Sequence, residues 1–483
     1  MTGAEASGPS DRTAQASELI EAADLERALD AVRDDIVHTP TLASPELSAL
    51  VGSSVALKAE CLQRTGSFKL RGVLSRVAAL GAAAERGLVT ASAGNHARAV
   101  AQAARLHGVA CDVFMPRDAP VSKVLAVEAL GARVRLEGAS VDDTIEQALR
   151  LAQETGAEFI HPFDDIDVIA GQATLGLELL ADVPDLARVI VPVGGGGLAA
   201  GVGIALRRAG RLGTSPALDA GGPGTRPALD AGGPETRPAL HAGESETRPA
   251  LHAGGPETRP ALHAGGSETR PALHAGRGVR LVGVQAAACA PYIAALEGGP
   301  VSHGGAMTIA DGVAVKRPGS VTLPLLRELL DEILTVEEDQ IADAMVFLAE
   351  RAKLVAEGAG AVAVAALLSG ALEPVAGTTV AVVSGGNVDS GLLASLLLRH
   401  ETEEGRRVRI FTRVPDRPGG LAELLGLIAG ARANVVSVEH LREAVPLHVR
   451  ETAVELMLET RCPGHTEEVL GALSAGGYEA RLG

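Results

Sequence analysis

Tryptophan is absent from this chain, and six phenylalanines and two tyrosines are its whole aromatic complement. Binding nucleic acid without regard to sequence takes a cationic face and often stacking rings. Here 60 acidic residues outnumber 43 basic ones, for a formal charge of −17, so no nucleic-acid partner is expected. Lysine is scarce: only Lys58, Lys69, Lys123, Lys316 and Lys353 occur, so a lysine in a special setting stands out. The four cysteines, Cys61, Cys111, Cys289 and Cys462, lie far apart with no CxxC pair. Neither a disulfide framework nor a cysteine zinc site is indicated, and a reduced, cytoplasmic setting is expected. The opening MTGAEASGPSDRTAQAS is polar and acidic, where an export signal is basic and then apolar. One uncharged run, Val189 to Leu206, raises the question of a membrane span. It carries six glycines and a proline and reads instead as a strand, a turn and a helix start, with no membrane partner.

What the chain has in quantity is apolar residue, 46% of 483, enough for large cores in roughly three domains of about 150 residues each. Residues 1–16 are expected to be disordered. A helix is expected near Ser17, whose side chain can cap the amphipathic stretch ELIEAADLERALDAVRDD. From there to about residue 400, short β-rich runs alternate with alanine-rich helical ones. The runs Ala110–Met115, Ala132–Leu136, Arg188–Val193, Arg280–Val284 and Thr379–Val383 read as buried strands. The alternation predicts an α/β protein with parallel sheets.

One segment breaks the pattern. Six copies of an 11-residue unit start at Pro216, Pro227, Pro238, Pro249, Pro260 and Pro271, as in PALHAGGPETR. Proline and glycine in every unit exclude an 11-residue coiled coil, and one leucine per unit cannot bury a solenoid core. Residues 212–278 therefore read as a low-complexity surface insertion. Its histidines, His241, His252, His263 and His274, are spaced too widely to order around a metal cheaply. After ETEEGRR, residues 407–483 follow the order strand, helix, strand, strand, helix, strand, a βαββαβ unit of its own.

Four motifs carry chemistry. Lys69 follows a Gly-Ser turn in TGSFKLRG; it reads either as a lysine whose stem packs while its amine snorkels, or as a desolvated amine able to form a Schiff base. In TASAGNHARAVAQAARLHG a small-residue loop ends at Asn95 and opens a helix, whose exposed N–H groups suit a carboxylate as well as an ordinary cap. VGGGGLAAG places Gly194, Gly195, Gly196 and Gly197 between strand and helix, either a nest for a phosphate or a structural turn. It lacks both the GxGxxG and the GxxxxGK[ST] spacings. VVSGGNVD sets Ser384 just past a strand, where parallel α/β proteins line their ligand crevice. A Schiff-base lysine, a phosphate cradle and a carboxylate cradle together suit pyridoxal phosphate and an amino acid.

In this motif order, and in ADGVAVKRPG and AEGAGAVAVAAL, the chain over about residues 20–400, apart from the repeat insertion, resembles the pyridoxal-phosphate-dependent threonine ammonia-lyase (threonine dehydratase) family. The resemblance implies a tryptophan-synthase-β-like fold over residues 17–400, with a small subdomain of about 56–153 inserted in the large one. It implies β-elimination of L-threonine, and also L-serine, to a keto acid and ammonia, in threonine breakdown or isoleucine biosynthesis. By the same resemblance Lys69 carries the cofactor covalently, Phe68 contacts it and Asn95 meets the ring hydroxyl. Gly194, Gly195, Gly196, Gly197 and Leu198 take the phosphate, and Ser384 meets the pyridine nitrogen. Ser67, Ser92, Gly94 and the backbone at His96 take the substrate carboxylate. Serine racemases of this fold carry a second serine where this chain has Ala93, and cation-binding relatives carry a glutamate where it has Gln285, so neither racemisation nor a metal is implied. The segment 407–483 resembles an ACT domain in VPDRPGGLAELL and NVVSVEH, implying an amino-acid effector and a homo-oligomer, dimer or tetramer. The alternatives are a serine or hydroxyaspartate dehydratase of the same fold and a non-catalytic amino-acid sensor.

Overall fold

The computed structural model describes residues 20–139, 141–212, 278–299, 307–441 and 450–483. Ser17, residues 1–16 and nearly all of the repeat segment with its histidines lie outside them. The amphipathic stretch is helical over Ala22–Val32, and Asp24 accepts from the Glu21 N–H at 2.8 Å where the helix starts. In chain order the strands are β1 (Thr41–Ala43), β2 (Val55–Lys58), β3 (Leu88–Ala91), β4 (Cys111–Met115), β5 (Arg133–Leu136), β6 (Glu158–Phe159) and β7 (Leu186–Pro192). They continue with β8 (Arg280–Ala286), β9 (Glu332–Val336), β10 (Thr378–Val382), β11 (Arg407–Pro415), β12 (Asn434–Leu441), β13 (Glu451–Glu459) and β14 (Arg481–Leu482).

Six strands form one sheet in the order β1-β2-β10-β7-β8-β9. Every neighbour pair is parallel except β1 with β2. A strand buried on both faces needs an unbroken apolar run, which VIVP (Val189–Pro192) and VAVV (Val380–Val383) supply. Their side chains alternate between two cores: Val189, Val191, Val380 and Val382 pack on one face, and Ile190, Ala381 and Val383 on the other. The uncharged run from Val189 divides, as read, into β7, a glycine loop and the helix Gly197–Arg208. Among the described residues no helix is long and apolar enough to cross a membrane. A second, four-stranded parallel sheet, β5-β4-β3-β6, has its main core under Leu88, Val113 and Met115.

The helix Lys69–Leu80 is locked to the helix Ile166–Asp182. The two backbones touch at glycine: a Cβ on Gly171 would lie 2.4 Å from the Arg71 carbonyl oxygen. Beside that contact the fully buried Arg71 donates from Nε (2.9 Å) and Nη2 (2.8 Å) to both oxygens of Glu60, and from Nη1 to Glu178 Oε1 at 2.7 Å. Lys58 Nζ reaches Glu178 at 2.7 Å. Burial pushes the Glu60 carboxyl up, and the Arg71 charge and hydrogen bonds outweigh it, leaving the carboxyl below its ordinary range. Removing one partner of such a buried network leaves a bare charge, at a cost of about 3–5 kcal/mol. The first turn of the helix that begins at Lys69 is thus held from two sides.

Residues 407–482 form an antiparallel sheet in the order β12-β13-β11-β14, joined by the helices Gly420–Gly430 and Pro463–Ala475. Alternation along β11 and β13 sends Ile410, Val414, Val454, Leu456 and Leu458 toward those helices. Arg409 and Glu455 pair at 3.1 Å on the other face.

Candidate active site

Parallel strands bring three of the four motifs to their C-terminal ends. The glycine loop follows β7, Ser384 follows β10, and the Ser92–Gly94 loop follows β3. The fourth, around Lys69, is stitched to the Ser384 segment: the Phe68 N–H donates to the Ser384 carbonyl at 3.1 Å, and Ser67 forms a β-bridge with Gly385. Ser384 is buried and donates from Oγ to the Ala359 carbonyl at 3.3 Å.

Lys69 opens its helix, and its Nζ donates to the Pro162 carbonyl at 2.9 Å, 5.1 Å from the Phe68 ring centroid. Part of the side chain borders open space, but the amine is enclosed. Desolvation lowers its pKa to about 8, against a partial opposing pull from Glu357. The folded chain thus holds fewer protons than the unfolded one between about pH 8 and 10.5, so this group makes stability rise with pH across that window. On the expectation that Lys69 holds an aldehyde cofactor, apoprotein should capture it at a rate that climbs through about pH 8. Stopped-flow absorbance of covalent attachment measures it; a midpoint where an ordinary lysine titrates would refute the assignment.

The glycine loop is walled in. A Cβ on Gly195 would lie 2.1 Å from the Phe163 ring, and one on Gly194 would lie 2.8 Å from the Val313 Cα. Gly196, with φ 86°, is in the left-handed region that excludes most side chains. Its successors Gly197 and Leu198 begin a 12-residue helix, whose first N–H groups have no partner within the helix. Phe163 also connects the loop to Lys69, because the neighbouring Pro162 holds the amine. Asp164 fixes this corner by accepting from the N–H groups of Ser320 and Val321 at 2.8 Å and Thr322 at 3.1 Å. Behind the loop the Tyr292 hydroxyl donates to the Gly195 carbonyl at 2.6 Å. Burial raises that phenol to about 12, so it keeps its proton.

Asn95 stands in a row of directed hydrogen bonds. Arg98 Nη1 donates to Asn387 Oδ1 (2.6 Å), Asn387 Nδ2 donates to Asn95 Oδ1 (2.7 Å), and Asn95 Nδ2 donates to Glu357 Oε1. Glu357 is buried, and desolvation raises its carboxyl to about 7 although the Asn95 hydrogen bond opposes this. Gly385 passes beside the pair: a Cβ there would lie 2.2 Å from Glu357 Oε1. Neighbouring His96 is neutral, its pKa depressed to about 3 chiefly by burial. Its Nε2–H donates to the Ile160 carbonyl at 3.0 Å. Ser92 Oγ accepts from the Gly94 N–H at 3.2 Å, and the fully buried Ser67 Oγ has no partner. Sequence reading did not single out Glu357, Pro162, Phe163 or Tyr292; each joins the site through chain crossings rather than through a local pattern. Gln285 spends its amide on the Val193 carbonyl and the Tyr292 N–H, both at 3.1 Å. Among the described residues no group of three His, Cys, Asp or Glu can hold a metal ion.

A mainly parallel six-stranded sheet and a parallel four-stranded one, with a desolvated lysine and a glycine loop at the strand ends, define a class. This chain belongs to the pyridoxal-phosphate dependent enzyme family, whose family model matches residues 32–220 and 261–385. It is 40% identical over 452 residues to the L-threonine ammonia-lyase of Thermotoga maritima, covering 93% of this chain and 96% of that one. It is 37% identical to the L-threonine ammonia-lyase of Geobacter sulfurreducens, covering 94% and 97%. The crystal structure of the T.th. threonine deaminase superimposes with a TM-score of 0.59 at 35% identity, over 76% of this chain and 99% of that one. The residues present fit pyridoxal phosphate: an amine with a neutral fraction near neutral pH, and a cradle of glycines closed from behind.

Proposed function

We propose that this chain is a threonine ammonia-lyase, which removes water from L-threonine and yields 2-oxobutanoate and ammonia, with L-serine as a second substrate. The Lys69 amine carries the reading: it is desolvated, and Pro162 and Phe163 tie it to the glycine loop. Pyridoxal phosphate supplies an electron sink for negative charge at the substrate Cα. Lys69 would anchor it covalently, and the same amine, when free, would take the Cα proton on Nζ. The Cβ–O bond would then break and the hydroxyl leave as water, carrying off one proton for the one taken from Cα, and the released enamine would take one water back as it hydrolyses to 2-oxobutanoate and ammonia. Gly194, Gly195, Gly196, Gly197 and Leu198 would hold the phosphate through backbone N–H groups, and Phe68 would contact the cofactor. Glu357 accepts one hydrogen of Asn95 Nδ2, leaving the other for the ring oxygen. Ser384 would offer the ring nitrogen a neutral hydroxyl. Ser67, Ser92, Gly94 and the backbone at His96 receive the substrate carboxylate. Ala93 offers no acid on the opposite face of Cα, so racemisation is not part of the proposal.

The same reading divides the chain into a catalytic region, residues 17–400, with a small subdomain of about 56–153, and an ACT-type module, residues 407–483. The β12-β13-β11-β14 order with two helices on one face supports the module. A match over 93% of the chain leaves out fewer residues than the tail contains, so the Thermotoga maritima relative shares at least part of it. An amino-acid effector, pairing of copies into a dimer or tetramer and a cytoplasmic setting complete the proposal.

The test is steady-state keto-acid formation from threonine and from serine, with and without isoleucine or valine. Threonine should be preferred, by no more than about 10–200-fold, because one methyl group discriminates only that far. Cofactor-loaded protein that turns over neither amino acid would refute the activity.

A further inference from the structure

The glycine loop has a back as well as a front, and the back is built from two side chains. Tyr292 is fully buried; its hydroxyl donates to the Gly195 carbonyl at 2.6 Å, accepts from the Gly319 N–H at 3.0 Å and lies 2.7 Å from Thr322 Oγ1. Gln285, also fully buried, donates from Nε2 to the Val193 carbonyl at 3.1 Å and accepts from the Tyr292 N–H at 3.1 Å. The two are therefore one unit, gripping carbonyls two residues apart.

In a planar trans peptide the carbonyl and the following N–H point opposite ways. Holding the Val193 carbonyl from behind turns the Gly194 N–H away from Gln285, and holding the Gly195 carbonyl turns the Gly196 N–H away from Tyr292. Glycine makes this control necessary, since a run of four glycines has more backbone freedom than any other four residues. Both donors of the brace are neutral, so they add no net charge beside a dianion. An acid in place of Gln285 has no hydrogen to give the Val193 carbonyl when ionised.

Building on the reading of this loop as the phosphate seat, we propose that Tyr292 and Gln285 are positioning residues which preset the Gly194 and Gly196 N–H groups for the cofactor phosphate. They act through peptide planes and touch neither cofactor nor substrate.

The experiment titrates full-length apoprotein with pyridoxal phosphate and, separately, with pyridoxal, which lacks the phosphate. Tyr292→Phe keeps the ring and removes only the hydroxyl. It should weaken pyridoxal phosphate about tenfold, the worth of one buried hydrogen bond, and leave pyridoxal unchanged. Gln285→Glu should show the same selective loss, larger because a carboxylate would face a carbonyl. The phosphorus NMR line of the bound phosphate should also move in both variants. Gly195→Ala, whose Cβ meets Phe163, serves as the reference for the loop itself. Selective loss in Gly195→Ala with unchanged affinity in the other two would overturn the brace and leave the phosphate seat standing. Unchanged affinity in all three would overturn both. Equal weakening of pyridoxal and pyridoxal phosphate in Tyr292→Phe and Gln285→Glu would show a role in packing only, and would also overturn the brace.

Discussion

Lys69→Ala should lose threonine turnover by more than about 10³-fold, because the substitution deletes the covalent anchor and the base together; base catalysis alone contributes about 10²–10⁴-fold. The visible absorbance of covalently held cofactor should vanish while the melting temperature of the apoprotein holds or rises. The sign follows from burial: the amine's pKa is depressed to about 8, so at neutral pH the fold carries a partly desolvated charge that alanine removes. The Arg71–Glu60–Glu178 network, which fixes the helix start, is untouched by the change. A folded Lys69→Ala protein that still makes 2-oxobutanoate at a tenth of the parent rate would end the mechanism.

Ser384→Asp should be the next most damaging change, lowering kcat for elimination by about 10²-fold. A neutral hydroxyl cannot keep a pyridine nitrogen protonated, whereas a carboxylate can. With the nitrogen protonated, negative charge at Cα is held too well to expel the β-hydroxyl. Exchange of the Cα hydrogen with deuterated solvent should therefore persist while keto acid falls, and NMR of recovered threonine separates the two. Equal loss of exchange and elimination would place Ser384 elsewhere than at that nitrogen. The substituted residue sits in a tight spot, since Ser384 is buried and a Cβ on Gly360 would already lie 2.1 Å from the Gly385 carbonyl oxygen. Circular dichroism of the variant must accompany the kinetics.

What could be read in the sequence was whatever a short window contains. The uncharged run around the glycines declared a strand, a loop and a helix, and β7, the loop and Gly197–Arg208 fall where the run places them. Strand ends moved by one or two residues: the run read from Arg188 to Val193 is paired from Leu186 to Pro192. The tail's six elements were legible because apolar alternation and turn residues mark each one. Glu357 was not. It lies at the start of AEGAGAVAVAAL, where an acid before a helix looks like an ordinary cap, and it is the N-cap of Gly358–Leu368. Its meeting with Asn95, 262 residues away, depends on how two sheets come together, and no local pattern encodes that. Tyr292 and Phe163 escaped for the same reason. The first helix shows a smaller gap: the described helix starts at Ala22, with Glu21 and Asp24 reciprocating at its end, a pairing less conspicuous than a serine.

The row of hydrogen bonds through Asn95 also acts as a gauge of distance. Arg98 and Asn95 ride on the helix that follows β3 of the four-stranded parallel sheet, while Asn387 and Glu357 belong to segments beside β10 of the six-stranded one. Each amide has a donor end and an acceptor end, so the row has a polarity, and reversing any one amide sets two like ends face to face. It crosses from one sheet body to the other three times, at the 2.6 Å bond from Arg98 to Asn387, at the 2.7 Å bond from Asn387 to Asn95 and again at Glu357. If the two bodies separate by more than about 1 Å, all three crossings exceed hydrogen-bond length and Asn95 is free to spin. The width of the gap between the sheets is thereby transcribed into the heading of a single N–H.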